Sequence, residues 1–368
     1  NNGLDHGSQT NALKMLGNAR KAGFNLVIAG NYNMGEGTVS RMEGLLQAAD
    51  ELGFFVSCTP PHIKQFDSKL DDPAVAERYR EMTERTISLW RNHPCVIACG
   101  MNHNCTGYGG DQNPRRLDGA HYNDEATRDA VGFEPVNRRN ARIAGDICRR
   151  LDPTRTYYNH ESGNLDRWYT LNIYLNWAPR QERSDWLEHW SKAGVKPLFF
   201  VEWGAPHVAS WSSYRGPHFI WNTPGFQTTW AAEYAAAVWG DAAYEDSPQM
   251  RRLLESDDAG WATGKPRFYD TRPLAALTNL YNGVQAHFMA DNWRAHRTWG
   301  ITAALPWDQE SFLDWTDWSP RKGMPMTDVM NRWNLDDCAY IGGWDSPTDK
   351  RRNYAVGETV VKKLVIIN

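Results

Sequence analysis

Lys196-Pro197-Leu198-Phe199-Phe200-Val201-Glu202-Trp203-Gly204-Ala205-Pro206-His207 is the stretch whose reading decides the fold. Its first half is a short apolar run rich in aromatic and β-branched residues, the pattern of a strand buried on both faces. Glu202 stands where that run ends, and Gly204 and Pro206 then stop the pairing and open a loop. In a barrel of parallel strands this position is the rim that carries reacting groups. Many strand-end glutamates only cap a neighbour or face water. The aromatic setting of Phe199, Phe200 and Trp203 makes Glu202 read as a functional carboxylate.

On either side of this stretch, strand and helix patterns alternate. Apolar residues at Ala12, Leu13, Leu16 and Ala19 recur at helical spacing over 8–22, and Phe24 to Gly30 follows as a buried strand. A helix over 39–52 precedes the strand Phe54 to Thr59, and one over 73–91 precedes Cys95 to Met101. A helix over 136–151 leads to Thr154–Asn159, and a strand over 168–174 and a helix over 183–193 lead to the Lys196 stretch. Helical patterns over 230–244 and 273–299 then precede a last strand, Gly300 to Trp307. Such alternation predicts an α/β fold with a parallel sheet and helices outside.

Seven buried strands with a helix ahead of the first predict a (β/α)8 TIM barrel whose first strand lies upstream of Asn1. A doubly wound open sheet is the competing architecture, but no glycine-rich phosphate loop follows any strand. Residues 1–345 are expected to form an N-terminally truncated barrel. Residues 346–368 are expected to be a linker and the first strand of a following β-sandwich-like domain, because Tyr354 to Asn368 reads as β.

Composition narrows the function. A net charge of −4 over 368 residues supplies no basic field for nucleic acid. No apolar run of the ~18 residues needed for a membrane span occurs. The six cysteines show no paired CxxC spacing, which argues against a structural zinc site or a disulfide scaffold, and no cofactor is expected. The 18 Trp, 15 Tyr and 12 Phe are numerous, and Trp177, Trp203, Trp211, Trp221 and Trp307 fall near strand ends or in long loops, where aromatic faces stack on sugars.

At three places the residues match a known pattern. Arg91-Asn92-His93-Pro94-Cys95-Val96-Ile97 resembles the segment entering the fourth strand of glycoside hydrolase family 2 and related barrel glycosidases. Leu45 to Gly53 resembles the helix before their third strand, and Pro197 to Ala205 is similar to the strand bearing their nucleophile. The resemblance covers about Ser8 to Trp307 and implies a retaining glycosidase with Glu202 as nucleophile, acting on a β-linked oligo- or polysaccharide. That route needs a second carboxyl group about 5–5.5 Å away as acid/base.

The resembled strand ends in Asn-Glu, whereas this chain reads Asn102-His103. Asn102 is thereby implied to contact the sugar, and His103 stands at the acid/base position, where an imidazole can exchange protons near neutrality. Tyr174 is implied to hydrogen-bond the nucleophile and Trp307 to floor the sugar subsite, while Asn31 stands where relatives carry an Arg. His62, His160, Glu161 and Trp203 complete the expected substrate-binding set, and Asp111, Asp308 and Glu310 are further acids at the rim.

Two rival readings remain. With His103 in place of Glu, the chain reads as a non-catalytic carbohydrate-binding relative. Alternatively, His62, His103 and His160, each after a successive strand, converge on a zinc ion as in a metal-dependent hydrolase. The resemblance implies a periplasmic or secreted protein; Asn1 to Asp5 contains neither Met nor a signal-peptide core.

Overall fold

The computed structural model describes residues 8–29, 42–103, 106, 135–160, 162–163, 165–173, 181–194, 196–203, 241, 278–306, 312–314, 317–323, 325–351 and 353–368. Helix α1 (Gln9–Lys21) starts at Ser8, whose Oγ accepts from the Asn11 N–H at 3.3 Å. Helix α2 (Glu43–Leu52) ends at Gly53, whose φ of 64° is the left-handed cap that glycine adopts without strain. A Cβ on Gly44 would lie 2.8 Å from the Gln9 nitrogen, so that glycine lets α2 meet the start of α1. Helix α3 (Pro73–Trp90) has Pro73 in its first turn and Asp72 as cap, the carboxylate accepting from the Ala74 N–H at 2.8 Å.

All seven expected strands are present and parallel. β1 (Leu26–Ala29), β2 (Phe55–Cys58), β3 (Val96–Gly100) and β4 (Thr156–Tyr158) form one sheet in that order. β5 (Tyr169–Ile173), β6 (Leu198–Trp203) and β7 (Ala303–Pro306) form a second. Helices α4 (Pro135–Leu151), α5 (Glu182–Ala193) and α6 (Thr278–Thr298) come between successive strands.

The expected barrel is only partly realised, because the ladder is not closed among the described residues. One break falls after β4. Gly163 and Thr170 exchange both backbone hydrogen bonds, at 3.0 and 3.1 Å, in an antiparallel bridge, so the chain leaving β4 takes up backbone groups at the start of β5. Side chains join the two strands instead: Trp168 Nε1 donates to Thr156 Oγ1 at 2.6 Å, and Thr170 Oγ1 donates to the Asn159 carbonyl at 2.6 Å.

The two sheets nevertheless share an interior. Ile28, Ala98, Tyr158, Phe199 and Val201 cluster there, with Ala303 and Leu305 packed against them. A Cβ on Gly100 would lie 2.8 Å from Tyr158 Oη, so glycine at the end of β3 makes room for that ring. The other strand faces, among them Val56, Val96, Tyr157, Leu171 and Phe200, join the helices in the larger outer core.

Near the C-terminus the structure differs from expectation. Helix α7 (Pro325–Trp333) leads to β8 (Cys338–Gly343), which pairs antiparallel with β9 (Lys362–Ile367). The terminal strand therefore has a partner, and a boundary between 345 and 346 passes between paired strands. Tyr340 is anchored to α6 by a hydroxyl contact with Thr298 at 2.5 Å, whereas Ile341, Leu364 and Ile366 on the opposite face are exposed.

The Asn92-His93-Pro94 turn has a structural explanation. Asp50 on α2 accepts from the Cys95 N–H at 2.8 Å and meets His93 Nδ1 at 2.7 Å, tying the entry of β3 to the preceding helix. Burial pushes the Asp50 carboxyl up, but the bonds from Cys95 and His93 outweigh it and hold it below its ordinary pKa. Replacing Asp50→Ala leaves both donors without this acceptor and is expected to cost about 2–4 kcal/mol. The denaturant midpoint at unchanged m-value measures this; a loss below about 0.5 kcal/mol would show that the carboxylate does not hold the turn.

Candidate functional site

The site begins with an irregularity in β6. The β5–β6 register slips between Leu171 and Asn172, and the β6–β7 register slips between Phe200 and Trp203. An even pleat would put Phe199, Val201 and Trp203 on one face and Phe200 and Glu202 on the other. Instead Phe199 and Val201 lie in the interior cluster, while Phe200 and Trp203 lie in the outer core. The bulge turns Glu202 to the interior side, the re-aiming that such irregularities produce beside functional sites.

There Glu202, 2% exposed, meets two imidazoles from the other sheet. Glu202 Oε1 lies 3.4 Å from His103 Nε2 and 3.5 Å from His160 Nε2. The two rings are 4.2 Å apart between centroids. His103 follows β3 and His160 follows β4, so the ends of three parallel strands converge on one carboxylate.

Beneath the rings lies a paired Asn-His frame. Asn102 Nδ2 donates to Asn159 Oδ1 at 2.7 Å, and the His160 N–H donates to the Asn102 carbonyl at 2.9 Å. Asn102 Oδ1 also accepts from the Ile63 N–H at 3.1 Å, which ties in the chain after β2. Asn102, implied to bind sugar, is thus 2% exposed and its amide braces three strand ends. Asn159 was not singled out in the sequence, although Asn102-His103 and Asn159-His160 repeat one dipeptide after adjacent strands.

His62 supports the frame from below. Its Nε2 lies 3.1 Å from the His103 backbone nitrogen and its Nδ1 3.1 Å from that of Lys64. A neutral imidazole has one acceptor nitrogen, so the ring can accept from one of these N–H groups at a time. Burial lowers its pKa to about 4, which keeps it neutral at ordinary pH. The rival zinc reading names His62, His103 and His160; the donors that lie together, all within 4.8 Å of one another, are His103, His160 and Glu202.

Trp203 is also relocated. Expected to stack on a sugar, it is 2% exposed and lies on Trp293 of α6, with centroids 5.1 Å apart at 24°, and against His296 at 4.4 Å. Asn172, buried and in register with Glu202, was missed; its signal is the polar alternation of Thr170 and Asn172 in an otherwise apolar strand. Asn31, Glu161, Tyr174, Trp307, Asp111, Asp308 and Glu310 lie outside the described residues.

No family model matches the chain, and no curated protein matches it. Among solved structures it is similar to the beta-D-mannosidase from Dictyoglomus thermophilum, with 15% identity, TM-score 0.49, and coverage of 98% of this chain and 43% of that one. It is also similar to a GH2 beta-galacturonidase from Eisenbergiella tayi, with 14% identity, TM-score 0.45, and coverage of 88% and 47%. A third is the endo-beta-1,4-mannanase from Thermotoga petrophila, with 10% identity, TM-score 0.44, and coverage of 92% and 77%. The chain spans less than half the length of the first two. No helix among the described residues is long and apolar enough to cross a membrane.

Two measurements test this architecture. Asn102→Ala removes two buried hydrogen bonds and is expected to cost about 2–4 kcal/mol in denaturant unfolding; a change within about 0.5 kcal/mol would show that the amide does not brace the strand ends. The other concerns His296, which burial drives from 6.5 to about 3. As pH falls from 6.5 toward 3, the unfolded chain binds a proton that the folded chain refuses, so this contribution is full above 6.5 and is lost on acidification. His296→Phe is expected to flatten that limb by up to about 1.4 kcal/mol per pH unit, and an unchanged slope would remove His296 from the account.

Proposed function

We propose that the chain is a glycosidase acting on a β-linked oligo- or polysaccharide, with Glu202 as its nucleophile. The observation that carries this reading is one buried carboxylate, turned by a bulge to the C-terminal ends of parallel strands and met there by His103. The resemblance of the segments around Glu202 and His93 to family 2 glycosidases supports the same choice.

In the proposed reaction the Glu202 carboxylate attacks the anomeric carbon while protonated His103 passes its Nε2 proton to the departing glycosidic oxygen. Neutral Nε2 then takes a proton from the water that cleaves the glycosyl ester, releasing the sugar and restoring both groups. His103 Nε2 stands 3.4 Å from Glu202 Oε1, closer than the ~5–5.5 Å that separates the two carboxyl groups of a retaining pair. Substrate must therefore part the two groups by about 2 Å as the sugar enters.

Reducing-sugar release from a panel of plant and algal polysaccharides tests the reading, with binding followed in parallel. Release that falls at least about 10³-fold in Glu202→Gln, with binding retained, is the expected result. Release that survives the substitution overturns Glu202 as nucleophile, and binding without release by either protein favours a carbohydrate-recognition role. His103→Glu is expected to change the pH dependence of release, because a carboxyl group replaces an imidazole as proton donor.

A further inference from the structure

The distances around Glu202 Oε1 carry a second message. A charge-assisted N–H···O hydrogen bond settles at about 2.7–2.9 Å. His103 Nε2 and His160 Nε2 stand at 3.4 and 3.5 Å from the same oxygen, both longer by half an ångström or more. A tetrahedral zinc ion with ligands at about 2.0–2.1 Å has ligand-to-ligand edges of about 3.3–3.4 Å, since the edge of a tetrahedron is about 1.63 times its centre-to-corner distance. The two separations from Glu202 Oε1 match such edges to about 0.1–0.2 Å, and the three donor atoms all lie within 4.8 Å of one another.

We propose that His103 Nε2, His160 Nε2 and Glu202 Oε1 form a binding site for a divalent transition-metal ion of the zinc class. Two imidazoles and one carboxylate suit zinc, cobalt or nickel; calcium and magnesium prefer sites made of oxygen alone. The donors sit on the ends of β3, β4 and β6, and the hydrogen-bonded Asn102–Asn159 pair fixes the two histidine-bearing ends relative to each other. With side chains 15%, 6% and 2% exposed, the donors are held largely out of water, which favours exchanging hydration for coordination.

The other described cluster of this kind, Asp50, His93 and Cys95, lacks this character: its His93–Asp50 separation is an ordinary 2.7 Å hydrogen bond. The proposal rests on donor geometry and is independent of the glycosidase reading. It also has a consequence for that reading. An ion bound to His103 Nε2 occupies the electron pair that would hold the acid proton, so metal loading and proton transfer by His103 exclude each other.

The test uses the whole chain, freed of metal with a chelator and titrated with Zn2+ by calorimetry and with Co2+ by visible absorption. One ion per chain, micromolar or tighter Zn2+ binding and the intense visible bands of four-coordinate Co2+ are expected. Glu202→Gln and His160→Ala should each weaken binding at least about 10²-fold, while His93→Gln should leave it unchanged. His103→Ala, at the most exposed of the three donors, serves if a buried substitution prevents folding, with Zn2+-dependent thermal stabilisation as the readout. No binding at millimolar Zn2+, or binding unchanged in all three ligand variants, would overturn the site. Zn2+ binding without any Glu202-dependent sugar release defeats the glycosidase reading alone, and the reverse result defeats the metal site alone.

Discussion

A carboxylate almost wholly removed from water is the constraint on which this structure depends. Glu202 is 2% exposed, and an ionised group so placed is costly unless polar hydrogens or a cation replace its hydration. His103 and His160 bring two imidazoles to the same oxygen from the neighbouring sheet. The site therefore exists only where both sheets present their strand ends to a common interior. Its donors are separated in the chain by 57 residues between the histidines and 42 between His160 and Glu202, as 160 − 103 and 202 − 160 give.

Successive layers hold those ends in place. Nearest the carboxylate, the Asn102–Asn159 pair joins β3 to β4, and Ile63 and His62 add the chain after β2. Deeper in the interior, Tyr158 and Phe199 meet edge to face at 5.0 Å, and Gly100 leaves the space Tyr158 fills. Outside the sheet, Phe200 and Trp203 press on His296 and Trp293 of α6. The bulge in β6 separates these roles: adjacent Val201 and Glu202 both serve the interior, and the flanking residues anchor the strand to its helices.

One arrangement offers two chemistries. A carboxylate beside a proton-exchanging imidazole suits nucleophilic attack on a glycoside, and the same carboxylate with two imidazoles at tetrahedral edge lengths suits a metal ion. Both make the same demand on the chain, a carboxylate oxygen turned toward His103, but one uses the His103 Nε2 electron pair to hold a proton and the other to hold an ion. The difference is therefore chemical, and the fold accommodates either.

Much of the framework was legible in the sequence. The seven strands and the helix beginning after Ser8 follow from local patterns, because apolar runs, β-branching and capping chemistry act over a few residues. The histidines after three successive strands were visible for the same reason, and so was their convergence at one rim. Tertiary structure alone decided which of them share a ligand. His62 turned out to brace the His103 backbone, and Trp203 went to the outer core because a register slip reverses the faces that strict alternation assigns. It also decided that β9 pairs with β8 and that the parallel ladder stays open between β4 and β5. Local propensity specifies which segments extend; long-range hydrogen-bond register, which no short stretch encodes, specifies what each side chain faces.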